Sequence, residues 1–235
     1  MNDGRHIRGS RVLVEMLVVV TSILIAFSLD AWWTSRAEER TGVAHLRALQ
    51  HDFEQNVARL KVHIEREERI ADASRRLLLV ANSPTTPSPA DSVSNLLGQV
   101  FNSGRFDPVM GAYEAVVNSG GLAQIQDDDL RLALAEFASL QAGRYEERFS
   151  DQLYFDFIRG FEGQLGFSAA VLASDSVSAA DVAAVSRFQP ELLGDPRFRE
   201  HLALRYLAES GVAASYRRLL ETAERVLDLT GLALE

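Results

Sequence analysis

The sequence contains no cysteine. Disulfides, thiolate zinc sites, cysteine-ligated iron–sulfur clusters and c-type haem attachment are therefore excluded. Proline and glycine are also scarce, with 6 and 15 occurrences in 235 residues, so few positions interrupt a helix. The hydrophobic content of 47% is that of a folded protein and is too high for a disordered one.

Sequence motifs for chemistry are missing as well. There is no His-Glu-x-x-His, no P-loop, no Gly-x-Gly-x-x-Gly and no Gly-x-Ser-x-Gly. Asp127, Asp128 and Asp129 precede an apolar run, which favours a helix N-terminus over a metal site. We therefore predict no catalytic, cofactor-binding or metal-binding residues, and no enzyme. Haem or pigment bound by histidine stays open, while His63 and Glu67 are predicted to form a solvated pair.

The net charge of −9 is carried by only part of the chain. The first 33 residues contain three basic and three acidic side chains, so the whole acidic excess lies beyond them. An acidic domain is repelled by nucleic acid, and no nucleic-acid partner is expected.

An apolar run from Val12 to Trp33 reads VLVEMLVVVTSILIAFSLDAWW. As a helix it is about 33 Å long, enough to cross the hydrocarbon core of a bilayer. Arg8 and Arg11 before the run, and Trp32 and Trp33 at its end, are expected at the membrane interfaces. The sequence thus predicts one transmembrane helix at 12–33, in contact with the lipid bilayer.

Three small polar residues within this span, Thr21, Ser22 and Ser28, are candidates for packing on a neighbouring transmembrane helix. Two other interpretations remain. A cleaved signal peptide fits less well, because the run is long and its tryptophan pair is a poor cleavage site. A buried helix of a soluble protein would need apolar partners on every face.

The orientation of the span rests on a tied count of basic residues, three on each side. The residues that follow the span also include acids, whereas 1–11 form a short, mainly basic tail. We expect this tail in the cytoplasm and the main domain in the periplasm, with the span in a bacterial inner membrane.

Beyond the span, apolar residues spaced by three and four predict a stalk helix at 34–81 that continues the transmembrane helix. A Pro-rich loop at 82–91 separates it from the remaining helical domain at 92–235. We predict an all-α fold with about three long and several short helices. The expected helices cover about 92–102, 108–118 with Asp107 as N-cap, 127–160, and one from Asp195-Pro196 onward.

Two apolar stripes are predicted to pack in the core of this domain. One is aromatic-rich, and the other lies on the last helix. Their members are Tyr145, Phe149, Leu153, Phe157 and Phe161 for the first, and Phe198, Leu202, Tyr206, Leu207, Val212, Tyr216, Leu219, Leu220, Val226 and Leu227 for the second.

Three stretches of the sequence are similar to one known family. They are ILIAFSLDAWW followed by SRAEER, YEAVVNSGGLAQIQDDDLRLALAEF from Tyr113, and DPRFREHLALRYL from Asp195. The chain resembles an uncharacterised bacterial family of single-pass membrane proteins with an anchor of this type. The resemblance implies an anchor plus an extramembrane helical domain. It transfers no catalytic residues, because the family has no assigned activity.

Two functions fit these features. The first is a non-catalytic subunit that docks on and stabilises a larger inner-membrane complex, such as a respiratory or photosynthetic assembly, through other membrane-protein subunits. The alternative is a single-pass sensor or ligand-binding module that signals through its long helix. That alternative requires a pocket between the helices.

Overall fold

The computed structural model describes residues 4–83, 90–165 and 190–235. Six α-helices lie in these ranges, with 3₁₀ turns at Gly121–Gln124 and Pro190–Gly194. The helices are α1 (Gly4–Asn82), α2 (Ala90–Val100), α3 (Gly111–Asn118), α4 (Asp128–Ala142), α5 (Tyr145–Gly160) and α6 (Pro196–Leu234). The described residues contain no strand, which confirms the all-α class. Most of the predicted Pro-rich loop, 84–89, and the segment 166–189 lie outside the described residues.

Helix α1 runs without a break through 79 residues, about 118 Å. It ends at Asn82, and the predicted continuation of the apolar run into a stalk helix is confirmed. Every side chain from Glu15 to Thr41 is exposed. In the described part of the chain, α1 is the helix that is long and apolar enough to cross a membrane by length and composition.

Helix α6 packs antiparallel along the second half of α1. Lys61 Nζ lies 2.9 Å from a Glu224 carboxylate oxygen near one end of the contact. Arg199 donates a hydrogen bond of 3.2 Å to Asn82 Oδ1 near the other end. Such surface contacts contribute little stability, so the pairing of the two helices depends on the apolar side chains between them.

These apolar side chains form two clusters, one above the other along the bundle. The first cluster lies nearer the exposed part of α1, and the second lies beyond it. Fully buried members of the first cluster include Leu49, Phe53, Leu60, Phe106, Phe137, Tyr216 and Val226. Those of the second include Leu77, Val100, Phe157, Phe198 and Leu202.

The helix predicted at 108–118 with Asp107 as N-cap begins later, so the Asp107 prediction is wrong. Helix α3 starts at Gly111, and the residue before it makes no side-chain cap. A carboxylate from α1 serves this role, since Asp52 Oδ2 accepts a hydrogen bond of 2.7 Å from the Ala112 N–H. An acid beside a helix N-terminus is favourable there, whichever part of the chain supplies it.

Asn56 on α1 holds the segment before α3 in place. Its side chain donates to the Val109 carbonyl at 2.8 Å and accepts from the Val109 N–H at 2.7 Å. Asn56 is fully buried. Both backbone groups of Val109 are thus satisfied by one amide, and the segment stays out of helix geometry.

The single helix predicted from 127 to about Gly160 is wrong. The chain turns at Gly143 and forms the two helices α4 and α5. The N-cap at Asp127 is confirmed, because its side chain accepts hydrogen bonds from the N–H groups of Asp129 and Leu130. The turn lets α4 cover the first apolar cluster while α5 crosses to α6.

Only part of the aromatic-rich stripe packs in the core. Leu153, Phe157 and Phe161 are buried, whereas Tyr145 and Phe149 are 72% and 54% exposed. The prediction therefore fails for the first turns of α5, where polar residues occupy the buried face instead.

Helix α6 begins as predicted, with the Asp195 side chain accepting from the Arg197 N–H at 2.7 Å. Most of its predicted apolar face is buried or half-buried. Leu207 and Tyr206 are errors of the prediction, being 63% and 37% exposed. The charged side chains of Arg205 and Glu209 take the buried positions on this part of α6 instead.

We expect Asn56→Ala to lower the free energy of unfolding by about 2–3 kcal/mol, because two hydrogen bonds are lost and the backbone groups of Val109 are left without partners. Urea unfolding of the full chain in detergent, followed by far-UV circular dichroism, measures this. The exposed neighbour Glu54 provides the control, since Glu54→Ala should change stability by less than about 0.5 kcal/mol. Equal stability of the two variants would contradict this role of Asn56.

Candidate functional site

A layer of polar side chains lies between the two apolar clusters. It consists of Glu67 on α1, Glu147 and Ser150 on α5, and Arg205 and Glu209 on α6, and we call it the polar layer. Each of these residues is at most 7% exposed. Buried charges are destabilising unless they are paired and hydrogen-bonded. Such a layer is therefore a candidate functional site.

Arg205 is the central residue of the polar layer. Its guanidinium lies 2.5 Å from the Glu209 carboxylate and donates to Ser150 Oγ at 3.0 Å. It also donates to the carbonyls of Val100 at 3.4 Å and Asn102 at 3.0 Å, at the C-terminal end of α2. A cation is favourable at this end of a helix. One side chain thus joins α2, α5 and α6.

Glu67 connects α1 to this centre through a hydrogen bond with Glu209. Burial raises the pKa of Glu67 to about 9, and the hydrogen bond and charge of Glu209 act in the same direction. Glu67 therefore carries a proton at neutral pH and donates it to Glu209, which also accepts from the Ser150 hydroxyl. With Glu67 neutral, the ion pair of Arg205 with Glu209 has no second negative charge from α1 beside it.

Glu147 forms a second pair on the other side of the layer. Its carboxylate lies 2.6 Å from Arg144 and 3.4 Å from Arg105. Burial raises the pKa of Glu147, against the opposing charges of both arginines. Arg144 also donates to the Phe106 carbonyl at 2.6 Å, and the Tyr216 hydroxyl accepts from the Phe106 N–H at 3.3 Å. The pair thereby fixes the loop that precedes α3.

The polar layer encloses a small cavity of about 20 Å³. Its lining includes Glu67, Glu147, Ser150, Tyr154, Glu209 and Tyr216. This volume is sufficient for about one water molecule, whereas pockets for small molecules measure about 300–1,000 Å³. The site can hold a proton between carboxyl groups and a water beside them. Haem or a pigment does not fit in it.

The transmembrane candidates lie far from this layer. Trp32 and Trp33 are 54% and 66% exposed on α1, about 50 Å along the helix from Glu67. The hydroxyls of Ser22 and Ser28 are also exposed and donate to carbonyls one turn earlier in α1, at 2.7 and 2.8 Å.

Thr21 lies on the same exposed section of α1. Arg8 and Arg11 belong to α1 too, but their side chains lie outside the described part of the chain. The structure therefore places Thr21, Ser22, Ser28, Trp32 and Trp33 out of contact with the polar layer.

The prediction of a solvated pair at His63 and Glu67 is wrong. Glu67 is 3% exposed. The His63 ring packs edge-on against Phe106 and Tyr216, with centroids 5.7 and 6.0 Å apart. Burial, assisted by the nearby charge of Arg66, lowers the pKa of His63.

A signal for the polar layer was present in the sequence. Glu67 follows Ile64 by three residues and so falls on the apolar stripe of α1. Arg205 follows Leu202 by three residues on α6, and Glu209 lies one turn further on the same stripe. Charged residues that interrupt two apolar stripes indicate a buried ionic contact. The partners of each charge, however, depend on how the helices pair.

Within the described residues, no group of three or more histidine and acidic side chains is placed to hold a metal ion. In comparisons with known proteins, no family model, no curated protein and no solved structure matches the chain. The resemblance to a single-pass membrane family therefore stays a prediction.

We expect Glu67→Gln to remove a pH dependence of stability. Folded Glu67 keeps its proton to about pH 9, whereas the unfolded residue releases it near pH 4.5. The contribution of this proton to wild-type stability is fully present below pH 4.5 and is lost as the pH rises towards 9. The difference in free energy of unfolding, Glu67→Gln minus wild type, should increase over this range in urea titrations. Glu65→Gln on the same helix is the control for the loss of one acid, and a difference that does not change with pH would contradict the prediction.

We also expect Arg205→Met to destabilise the fold by about 3–5 kcal/mol, because it leaves the Glu209 charge buried and unpaired. The double variant Arg205→Met/Glu209→Met should regain much of this loss, since apolar side chains can replace a buried pair. The exposed pair of Arg217 with Glu68 provides the comparison. Arg217→Met should cost at most about 1 kcal/mol. Equal losses at Arg205 and Arg217 in chemical unfolding would show that Arg205 has no central role.

Proposed function

We propose that the protein is a non-catalytic, membrane-anchored helical subunit that docks on and stabilises a larger inner-membrane protein complex. One observation carries the proposal. A fully exposed apolar section and a large part of the bundle core belong to the same uninterrupted helix, α1. Whatever surrounds the apolar section is therefore rigidly coupled to the helical body.

The apolar section needs an apolar environment. Its large side chains from Met16 to Trp33 are 49–69% exposed, and nothing in the described residues packs against them. Leaving this surface in water is unfavourable by roughly 25 cal/mol for each Å². A bilayer, together with neighbouring transmembrane helices, removes it from water. Continuity of α1 into the core also favours an anchor over a cleaved signal peptide, because cleavage would separate the span from a folded core helix.

Small polar residues supply a docking face on this anchor. Thr21 and Ser28 are seven residues apart and share one face of the helix, whereas Ser22 lies about 100° away from Thr21. The Ser28 hydroxyl already donates to its own helix, so it is tolerated in lipid and still offers a lone pair to a neighbour. Small side chains let a second helix approach closely.

We further propose that residues 1–11 lie in the cytoplasm and that the acidic helical body lies in the periplasm. The host complex is then reached through transmembrane and periplasmic contacts. A respiratory or photosynthetic assembly meets this description.

The alternative function is a sensor that signals through α1. It is favoured by one observation, namely that Glu67 of the polar layer lies on the same helix as the anchor. The cavity of about 20 Å³ matches a water molecule rather than a larger ligand. The sensed quantity would then be proton concentration, passed on to another membrane protein.

Affinity purification of the intact protein in mild detergent tests the docking proposal. We expect a particle well above the mass of one chain, 26.0 kDa plus detergent, with co-purifying membrane subunits. Thr21→Leu/Ser28→Leu should reduce the recovered partners several-fold, because larger side chains prevent close helix packing. Ser22→Leu is the matched control on another face. A lone monomer from cells with native expression levels would refute the proposal.

A further inference from the structure

Three arginines, Arg36, Arg40 and Arg47, lie just beyond the apolar section of α1. Ion pairs hold arginines along the helical body, from Arg69 to Arg225. Among the described residues, no ion pair includes Arg36, Arg40 or Arg47. They form a cluster of three cations next to the apolar section, in a chain whose net charge is −9.

These arginines share one face of α1. Together with Glu39, Val43 and Ala44 they line an open groove of about 460 Å³. The face continues to Trp32, because the Arg36 guanidinium carbon lies 5.8 Å from the centroid of the Trp32 ring. A cation over an indole ring is held in place by the ring's negative face. Arg36 is thus directed along the helix toward the tryptophan pair.

This face points away from the helical body. Leu49 is fully buried and marks the side of α1 that packs in the core. With 100° of rotation per residue, Arg47 lies about 160° around the helix from Leu49. The groove is therefore open to a molecule outside this chain.

Distance along the helix decides which arginines meet a membrane. Arg36 and Arg40 lie about 4.5 and 10.5 Å beyond Trp33, and Arg47 lies about 21 Å beyond it. The head-group layer on each side of a bilayer is roughly 5–8 Å thick. Long arginine side chains reach back toward it by several ångströms. Arg36 and Arg40 are thus at the level of the head groups, whereas Arg47 is above them.

We propose that Arg36 and Arg40, beside Trp32 and Trp33, bind the phosphate of an anionic phospholipid in the leaflet next to the helical body. The proposal rests on the membrane anchoring by α1 proposed above. Guanidinium groups bind phosphate oxygens through paired, charge-assisted hydrogen bonds. With Glu39 in the groove, the site has a net charge of one positive unit, which matches one phosphodiester. Its height at the head groups favours a lipid over an acidic segment of a partner protein.

The two tryptophans of the chain make this site directly observable, since both lie in it. The full chain is reconstituted in phosphatidylcholine vesicles that contain a small fraction of brominated phosphatidylglycerol or, separately, brominated phosphatidylcholine. The quantity measured is the ratio of tryptophan quenching by the two brominated lipids. This ratio cancels any change in the fluorescence yield of Trp32 itself.

At low salt, we expect phosphatidylglycerol to associate with the site more strongly than phosphatidylcholine, by about fivefold for each arginine. This preference should decline as salt is added. Arg36→Gln/Arg40→Gln should bring the ratio to one. Arg69→Gln/Arg75→Gln removes the same charge from an exposed part of α1 in the helical body. This control should keep the wild-type ratio.

Four results would overturn the proposal. Equal quenching by both lipids in the wild type shows an anchored helix without a lipid site. A wild-type ratio in Arg36→Gln/Arg40→Gln shows that other groups select the lipid. Equal quenching by both lipids in the wild type, together with loss of a co-purifying acidic protein from Arg36→Gln/Arg40→Gln, shows that the arginine face of α1 binds a protein partner. Quenching by neither lipid shows that the tryptophans are not at a bilayer, which refutes the anchoring as well.

Discussion

The bonds that Arg205 and Glu209 of α6 make to α1, α2 and α5 are the contacts on which the arrangement of the helices depends. Arg205 donates to the end of α2, to Ser150 on α5 and to its own helix neighbour Glu209. Glu209 in turn accepts the proton of Glu67 on α1. Apolar clusters permit many relative positions of packed helices, whereas these bonds form in one position only. Because Arg205 and Glu209 lie on the same helix, a shift of α6 by one turn would keep their ion pair but break its bonds to α1, α2 and α5, and would leave these buried polar groups unsatisfied.

The protonation of Glu67 explains how three buried glutamates are compatible with one buried arginine, Arg205, and one half-buried arginine, Arg144. If all of them were ionised, the layer would carry an excess negative charge in a region of low dielectric constant. Raising the pKa of Glu67 to about 9 removes this excess at neutral pH. The same proton then serves as a hydrogen-bond donor, so two acidic side chains attract each other instead of repelling.

The elements that depend on local signals were predictable from the sequence. The apolar run predicts α1, and the Asp195-Pro196 pair predicts the start of α6. The start of α3 was not predictable, because its cap comes from Asp52, 60 positions earlier in the chain. The polar layer was predictable only as charges on apolar stripes. Which charge meets which, and the pKa values that result, follow from helix pairing, and no local pattern contains that information.

Because α1 is unbroken from the apolar section into the core, it also fixes the rotation of the helical body about the helix axis relative to the apolar section. Between Trp33 and Gly42 the helix has neither a proline nor a loop. Inserting one residue there would turn the whole helical body by about 100° around the axis of α1, relative to the apolar section, and would move it by only about 1.5 Å along that axis. Seven inserted residues would nearly restore the original rotation of the helical body, and would move the body about 10.5 Å further along the helix axis from the apolar section. The number of residues in this short stretch thus specifies how the helical body is rotated about the axis of α1 relative to the apolar section. This rotation does not depend on any contact that the body itself makes.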